Sequence, residues 1–281
     1  MTIIETLMKL FTSCDPDRYS DDRMKLLIIN KLKPILKQYM NYHEKLSIRT
    51  KVKLKYKKLV IVRIFASDIW EEICKQYSTD TVYQNRINAI GKLFYRSLIA
   101  TDENISMIKN GYGYAAIANI RLIIESIALA EYIWEQGEKE ADRYQDFASI
   151  QYALLLGKEL PKNILQKYEP GFEKDYGWMT KKKEYKSVPK LLDYLGEETL
   201  HDYYKLASHF VHASSYSVEM LSNQATDKTI KEEGYFPIPF DMIININTQV
   251  IGIMSELMLK WFMENYSKLY KWFLLYFVNG I

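Results

Sequence analysis

The chain has 281 residues, 48% of them hydrophobic, and this is enough to bury a core without a disulfide or a structural metal ion. Its two cysteines, Cys14 and Cys74, lie far apart and form no CxxC motif, which argues against a secreted disulfide framework and predicts a cytoplasmic protein. The net charge of +3 is too small to identify a nucleic-acid-binding protein.

The first residues carry neither a basic region nor a small-residue cleavage site, so we predict no signal peptide. Hydrophobic periodicity predicts helices at about 20–42 and 56–77. Residues 51–57 alternate as in a strand, but no second segment could pair with them, so they are predicted to be helical or irregular. Residues 1–80 are interpreted as a helical extension of a main bundle, residues 81–281, although both could form one continuous domain.

Glycine and proline are scarce over most of the remaining chain, which predicts an all-α helical bundle. A capping box, Thr81-x-x-Gln84, predicts the start of one helix, and Asp241 is the predicted start of the last, which should run to near Phe277. Helices are also predicted at 102–136, 139–157 and 198–222. Charged residues interrupt the apolar C-terminal stretch, so we predict no membrane span.

Residues 158–197 break the helical pattern, because prolines and glycines alternate there with aromatic residues. A connection of this length is often a lid or a binding loop. Its aromatic content argues against disorder. We therefore predict a long ordered loop that folds over the helices.

Two ionisable residues, Arg121 and Glu125, lie one turn apart on a helix that is otherwise apolar on nearly every face. Both charges are therefore expected to be cut off from bulk water and to need partners, and they are within reach of each other. Two interpretations stay open: a buried ion pair that fixes helix register, or a cleft where Arg121 holds an anion and Glu125 acts as a base or a metal ligand.

A second helix concentrates three of the four histidines, His201, His209 and His212, within twelve residues. Its polar face also carries Lys205, Ser208 and Ser215. Four roles are possible for this face: a zinc site, a Ser208 nucleophile with His212 as its base, a histidine general acid or base beside Arg121, and structural histidines in the core. Because no HExxH motif, cysteine cluster or nucleophile elbow is present, we predict no metal and no cofactor.

These residues resemble an uncharacterised bacterial all-helical family, a domain of unknown function, with an Arg-x-x-x-Glu helix and a Tyr-x-x-x-Ser-x-x-x-His helix. The matching residues are Arg121 and Glu125, then Tyr204, Ser208 and His212, and Asp175-Tyr-Gly-Trp178 in the loop also matches. The resemblance covers about residues 85–222 and implies a helical fold without an assigned activity.

A more distant resemblance is to the HEPN helical domains, many of which are metal-independent ribonucleases of toxin and antiphage systems. Those domains carry an Arg and a His on one helix. Here no arginine follows Arg143, so His209 and His212 lack one on their own helix, and Arg121 would have to supply it from another. This departure puts HEPN-type cleavage in doubt.

Two functions follow from these patterns. In the first, a pocket of Arg121, Glu125, Ser208 and His212, with His209 beside it, handles RNA or another phosphate-bearing ligand in stress or antiphage defence. If this protein is an enzyme, it is a metal-independent ribonuclease or another phosphodiester hydrolase. In the second, the same residues form a buried structural network, and the aromatic C-terminal helix makes a homodimer or contacts another protein.

Overall fold

The computed structural model describes residues 53–77, 84–110, 112–174, 176–180, 185, 187–211 and 237–263, with eight single positions before residue 35. The all-α prediction is confirmed, since the described residues contain no strand. The helices with described bounds are α1 (Lys53–Tyr77), α2 (Gln84–Lys109), α3 (Gly113–Gln136), α4 (Glu138–Leu155), α5 (Lys162–Leu165), α6 (Val188–Leu195), α7 (Glu198–Val211) and α8 (Pro237–Phe262).

The prediction of one helix over 102–136 is wrong, because α2 continues through this point and the chain breaks only between Lys109 and Gly113. Thr101 followed by Asp102 has the composition of a helix start. Here the Thr101 hydroxyl instead donates to the carbonyl of Ser97, 2.7 Å away, one turn earlier in the same helix. A local hydrogen bond therefore keeps this threonine inside α2.

Most other predicted helices are found with small shifts. α1 begins at Lys53. Residues 53–57, the part of the alternating segment that the structure describes, are therefore helical. α8 begins at Pro237 rather than Asp241, which agrees with the tolerance for proline in the first helical turn. Four predictions fall wholly or partly outside the described residues: the continuation of α8 to Phe277, the helix at 20–42, Thr81 of the capping box and the end of the 198–222 helix.

The core is organised around α3, which packs against α2, α4, α6, α7 and α8. Ile120, Ile123 and Ile124 on this helix are all fully buried. A helix in contact with neighbours on all sides has no need of a polar face, and this explains its nearly continuous apolar sequence. Side chains of α1 belong to the same hydrophobic cluster, while the proposed division at residue 80 stays a prediction.

Buried amides fix the antiparallel register of α2 and α3. The Asn119 side chain on α3 donates to the Ala100 carbonyl at 3.3 Å and to the Asn104 side chain at 3.0 Å, both on α2. Asn104 in turn donates to Asn247 on α8 at 2.6 Å. Since buried amides are costly unless hydrogen-bonded, this chain of contacts disfavours any slip between the three helices.

Among the described residues, two helices are long and apolar enough to cross a membrane, Gly113–Gln136 and Met242–Phe262. Their most apolar windows are 61% and 67% buried inside the protein, as is also found for core helices of proteins without membrane spans. Length and composition alone therefore do not assign a membrane span.

Glu131 on α3 is a carboxylate at an unusual place in this core. It is 9% exposed, and its Oε2 atom has no hydrogen-bond partner in the part of the chain that the structure describes. Burial and the nearby Glu197 and Glu135 raise the pKa of Glu131 to about 8, although Lys260 opposes this effect. Glu131 is therefore mainly protonated in the folded protein at neutral pH.

We expect Glu131 to make the protein less stable as pH rises. An unfolded glutamate has a pKa of about 4.3. Between that value and about 8, this group ionises only in the unfolded chain, and its ionisation stabilises that chain. The free energy of unfolding therefore falls as pH rises across that window. The Glu131→Gln variant should lose less stability than wild type between pH 5 and pH 8, by on the order of a few kcal/mol in urea titrations. Exposed Glu135→Gln is the control, and equal losses in wild type and Glu131→Gln would contradict the assignment.

Candidate functional site

Arg143 on α4 holds in place part of the chain that follows α4, from Tyr168 to Thr180, which we call the anchored segment. This arginine is 4% exposed, and its Nε donates to the carbonyl of Trp178 at 2.6 Å. Its two terminal nitrogens donate to the two carboxylate oxygens of Glu169, at 2.6 and 3.2 Å. Such two-pronged contacts are among the strongest and most directional hydrogen bonds in proteins. Arg143 therefore fixes both Glu169 and Trp178 against α4.

Aromatic rings complete the surroundings of this guanidinium. The rings of Tyr168 and Phe172 have centroids 4.8 and 5.2 Å from the Arg143 guanidinium carbon, and they stack on each other at 4.1 Å. The Tyr168 hydroxyl also donates to Asp146 on α4 at 2.8 Å. Cation–π contacts and ring stacking thus add to the hydrogen bonds that anchor the segment.

Glu140, one turn before Arg143, fixes the end of the same segment. Its Oε1 accepts hydrogen bonds from the Tyr132 hydroxyl at 2.9 Å and from the Thr180 backbone N–H at 2.7 Å. Glu140 is 3% exposed, and its other oxygen lies 3.9 Å from Arg143 Nε. A buried carboxylate with this many partners meets the requirement for burying a charge.

The turn at Tyr176 and Gly177 has a backbone that few other residues would accept. A Cβ at Gly177 would lie 2.3 Å from the Phe172 carbonyl oxygen, so a side chain cannot fit. Tyr176 has a φ of 55°, a left-handed conformation that is uncommon outside glycine. The anchored segment therefore presents the Tyr176 side chain toward α3 at some conformational cost.

The prediction of an ordered connection at 158–197 agrees with these contacts. The connection differs from the prediction because it contains two short helices, α5 and α6, rather than irregular structure alone. α6 begins with Val188 and has Pro189 in its first turn, where proline is well tolerated. Asp175, residues 181–184 and Lys186 lie outside the described residues.

Arg121 and Glu125 on α3 each bind a tyrosine from a different element. Arg121 Nη2 donates to the Tyr204 hydroxyl on α7 at 2.9 Å, and its guanidinium carbon lies 4.9 Å from the centre of that ring. Glu125 Oε1 accepts from the Tyr176 hydroxyl at 3.2 Å. The structure thus brings α3, the anchored segment and α7 together at this point.

The expectation of a buried Arg121–Glu125 ion pair is wrong, because no salt bridge within 4.0 Å joins them among the described contacts. Each side chain instead reaches its tyrosine, and both are half-buried rather than fully enclosed. Arg121 Nε is nevertheless shielded from solvent and has no acceptor in the described part of the protein. The positive charge of Arg121 is oriented by Tyr204 but not neutralised by a carboxylate there.

Only part of the predicted polar face of α7 takes part in this arrangement. Ser208 donates its hydroxyl to the Tyr204 carbonyl at 2.7 Å, a helix-internal bond that occupies the hydrogen a nucleophile would have to lose. His201 lies 2.6 Å from Asp193 on α6, and His209 is exposed. His212 and Ser215 lie outside the described residues, so the prediction of a site with His212 stays a prediction.

Metal coordination was one of the possible roles of these histidines. Within the described ranges, no three His, Cys, Asp or Glu side chains converge in a way that could hold a metal ion. His212 lies outside these ranges.

Two residues that the sequence did not single out, Tyr144 on α4 and Arg96 on α2, belong to the same region. Tyr144 packs edge-on against Trp178 with a centroid distance of 4.9 Å. Burial raises the pKa of Tyr144, the Arg96 guanidinium lowers it, and the Glu125 carboxylate raises it further. Arg96 and Glu125 are therefore both close enough to Tyr144 to act on it, a proximity between three helices that no spacing in the sequence indicates.

Replacing Arg143 by methionine should destabilise the protein strongly. The substitution keeps much of the apolar stem but leaves the Glu140 carboxylate buried without its cation, and breaking a buried pair from one side costs about 3–5 kcal/mol. Glu169→Gln should cost much less, because the Glu169 side chain is 51% exposed and retains an acceptor. Urea unfolding of the two variants measures the difference. Equal losses would show that Arg143 does not act as the main anchor.

Replacing Tyr204 by phenylalanine removes the hydroxyl that Arg121 binds but keeps the ring beneath the guanidinium. The expected loss of unfolding free energy is about 1.5 kcal/mol, typical of a hydrogen bond to a charged group. A double-mutant cycle with Arg121→Gln should give a coupling energy of similar size. If the cycle gives no coupling, the two side chains do not interact in solution.

The residues of this site all fall within the part of the chain that matches a known family. The family model spans residues 88–229, about half of the chain, from α2 through α7 and beyond. This agrees with the resemblance predicted over about 85–222, whereas the likeness to HEPN domains stays a prediction. No curated protein and no solved structure matches the chain. The chain belongs to the family of unknown function DUF5677.

Proposed function

We propose that this protein binds a phosphate-bearing ligand, an RNA or a nucleotide, through Arg121 in the cytoplasm. The observation that supports the proposal is the state of Arg121: its guanidinium is oriented by Tyr204, one nitrogen is buried without an acceptor, and no described carboxylate pairs with it. An arginine that is fixed but not neutralised is suited to receive an anion, because its ordering cost is met before the ligand binds.

Other arginines of the helical core show the contrast. Arg63, Arg86 and Arg143 each contact a carboxylate, at distances of 2.6, 3.0 and 2.6 Å respectively. Arg121 has a similarly sheltered position but a phenol in place of the carboxylate. A tyrosine hydroxyl holds the guanidinium without cancelling its charge, and this is the arrangement that anion binding requires.

Glu125 and His212 are the proposed proton-transfer groups. Glu125 is half-buried one turn from Arg121 and keeps one carboxylate oxygen that accepts no described hydrogen bond. In metal-independent RNA cleavage a base takes the proton of the ribose 2′-hydroxyl, the 2′-oxygen attacks phosphorus, and an acid protonates the departing 5′-oxygen. Arg121 would stabilise the charge that builds on the phosphoryl oxygens. We place this activity in stress or antiphage defence.

The second candidate is a non-enzymatic interaction protein in which these residues form a structural network. It is favoured by three consecutive exposed leucines at the end of α4, Leu154, Leu155 and Leu156, which are 52%, 82% and 47% exposed and would suit a partner surface. The aromatic C-terminal helix supports it less, because Trp261 and Phe262 pack on Trp134, at 5.4 and 5.1 Å. The aromatic residues after Met263 lie outside the described residues.

The Arg121→Gln variant should lose ligand binding while keeping the fold. We expect the melting temperature of wild-type protein to rise with nucleotides or short single-stranded RNA, and the affinity for the responding ligand to fall at least about tenfold in the variant. Arg63→Gln is the matched control, since Arg63 is already paired with Asp102 at 2.6 Å. Thermal shift and fluorescence anisotropy measure binding, and gel analysis of labelled RNA measures cleavage.

The proposal fails if wild-type protein neither gains thermal stability from nucleotides or RNA nor cleaves RNA. It also fails if Arg121→Gln and Arg63→Gln reduce binding equally, because the effect would then reflect net charge rather than this site.

A further inference from the structure

Glu125 weakens the electrostatic attraction between Arg121 and a phosphate. Arg121 and Glu125 lie one turn apart with opposite charges, so their combined charge is zero when Glu125 is ionised. A phosphate bound to Arg121 would be attracted by one group and repelled by the other at similar distance. A second cation nearby would therefore strengthen the binding of a ligand that carries a second phosphate.

Arg96 on α2 lies close enough to the level of Arg121 to supply this second positive charge. Contacts between Asn119 and Ala100, at 3.3 Å, and between Arg86 and the Trp134 carbonyl, at 3.4 Å, show that α2 and α3 run antiparallel. In this register Arg96 is level with Ile123 and Ile124, between the levels of Arg121 and Glu125 on α3. Arg96 is exposed, and among the described residues no carboxylate forms a salt bridge with it.

Tyr144 on α4 is influenced by one charge on each of these two helices, Arg96 on α2 and Glu125 on α3. It is half-buried, and its hydroxyl makes no hydrogen bond within the described part of the chain. The influence of both charges on Tyr144 agrees with the register, which brings Arg96 and Glu125 to neighbouring levels. Because the pKa of Tyr144 is raised, the hydroxyl keeps its proton at neutral pH and can donate it to an acceptor.

We propose that Arg96 and the Tyr144 hydroxyl form a second phosphate-contacting position beside Arg121, so that the site takes ligands that carry two phosphates. With Arg96 included, two arginines face one glutamate and the site has a net charge of +1. An axial offset of less than one helical turn and one helix-to-helix spacing put the two arginine backbone positions about 10 Å apart in space, so that their flexible side chains can reach linked phosphates. This inference rests on the proposed function of Arg121.

The test compares three probes with full-length protein by isothermal titration calorimetry: inorganic phosphate, pyrophosphate and a short single-stranded RNA. Arg96→Gln should weaken the binding of the probes with linked phosphates about tenfold and change that of inorganic phosphate less than about twofold. Tyr144→Phe should act in the same direction with a smaller effect. Arg121→Gln should weaken all three. A preference for RNA over pyrophosphate would identify the phosphates as those of an oligonucleotide chain, and the reverse would identify a diphosphate group; both support the second position.

Lys92→Gln is the matched control, because Lys92 is also exposed and lies one turn from Arg96 on α2. If Arg96→Gln and Lys92→Gln weaken binding equally, α2 has only a general basic surface and the second position is refuted. It is also refuted if Arg96→Gln binds every probe as wild type does while Arg121→Gln is impaired, and the proposed function then stands. If Arg121→Gln itself binds as wild type does, the proposed function fails. Equal melting temperatures without ligand confirm that the variants fold.

Discussion

The contact between Arg143 and the segment that follows α4 is the constraint on which the candidate site depends. One buried guanidinium binds the Glu169 carboxylate and the Trp178 carbonyl and is enclosed by the rings of Tyr168 and Phe172. These contacts fix the segment on both sides of the turn that carries Tyr176. Tyr176 in turn meets Glu125 on the central helix. The position of one site residue is thus set by a cation on another helix.

The site itself combines an anchored frame with two unusual features. The turn is tight at Gly177 and left-handed at Tyr176, and Arg121 has a buried nitrogen without a described acceptor. The left-handed backbone of Tyr176 and the buried Arg121 nitrogen each cost stability. Proteins commonly retain such local costs where function requires them. This is the physical reason for preferring a binding site over a purely structural network.

The sequence was sufficient to predict the elements that depend on local pattern. Helical periodicity predicted α1 and α4, and the i, i+4 spacing placed Arg121 and Glu125 on one face of the central helix. It was insufficient where a distant group decides the outcome. The acceptors of Arg143 lie 26 and 35 residues away, and the tyrosine that binds Arg121 lies 83 residues away. The predicted helix start near residue 102 was likewise wrong, because α2 continues through this point.

The central claim is that Arg121 is placed for a ligand rather than for the stability of the fold, and the unfolding free energy of ligand-free Arg121→Gln tests it most directly. The account predicts a loss of no more than about 1.5 kcal/mol, the value of the bond to Tyr204, because the buried nitrogen without an acceptor opposes folding. A loss of about 3–5 kcal/mol, as expected when a member of a buried ionic network is removed, would contradict it.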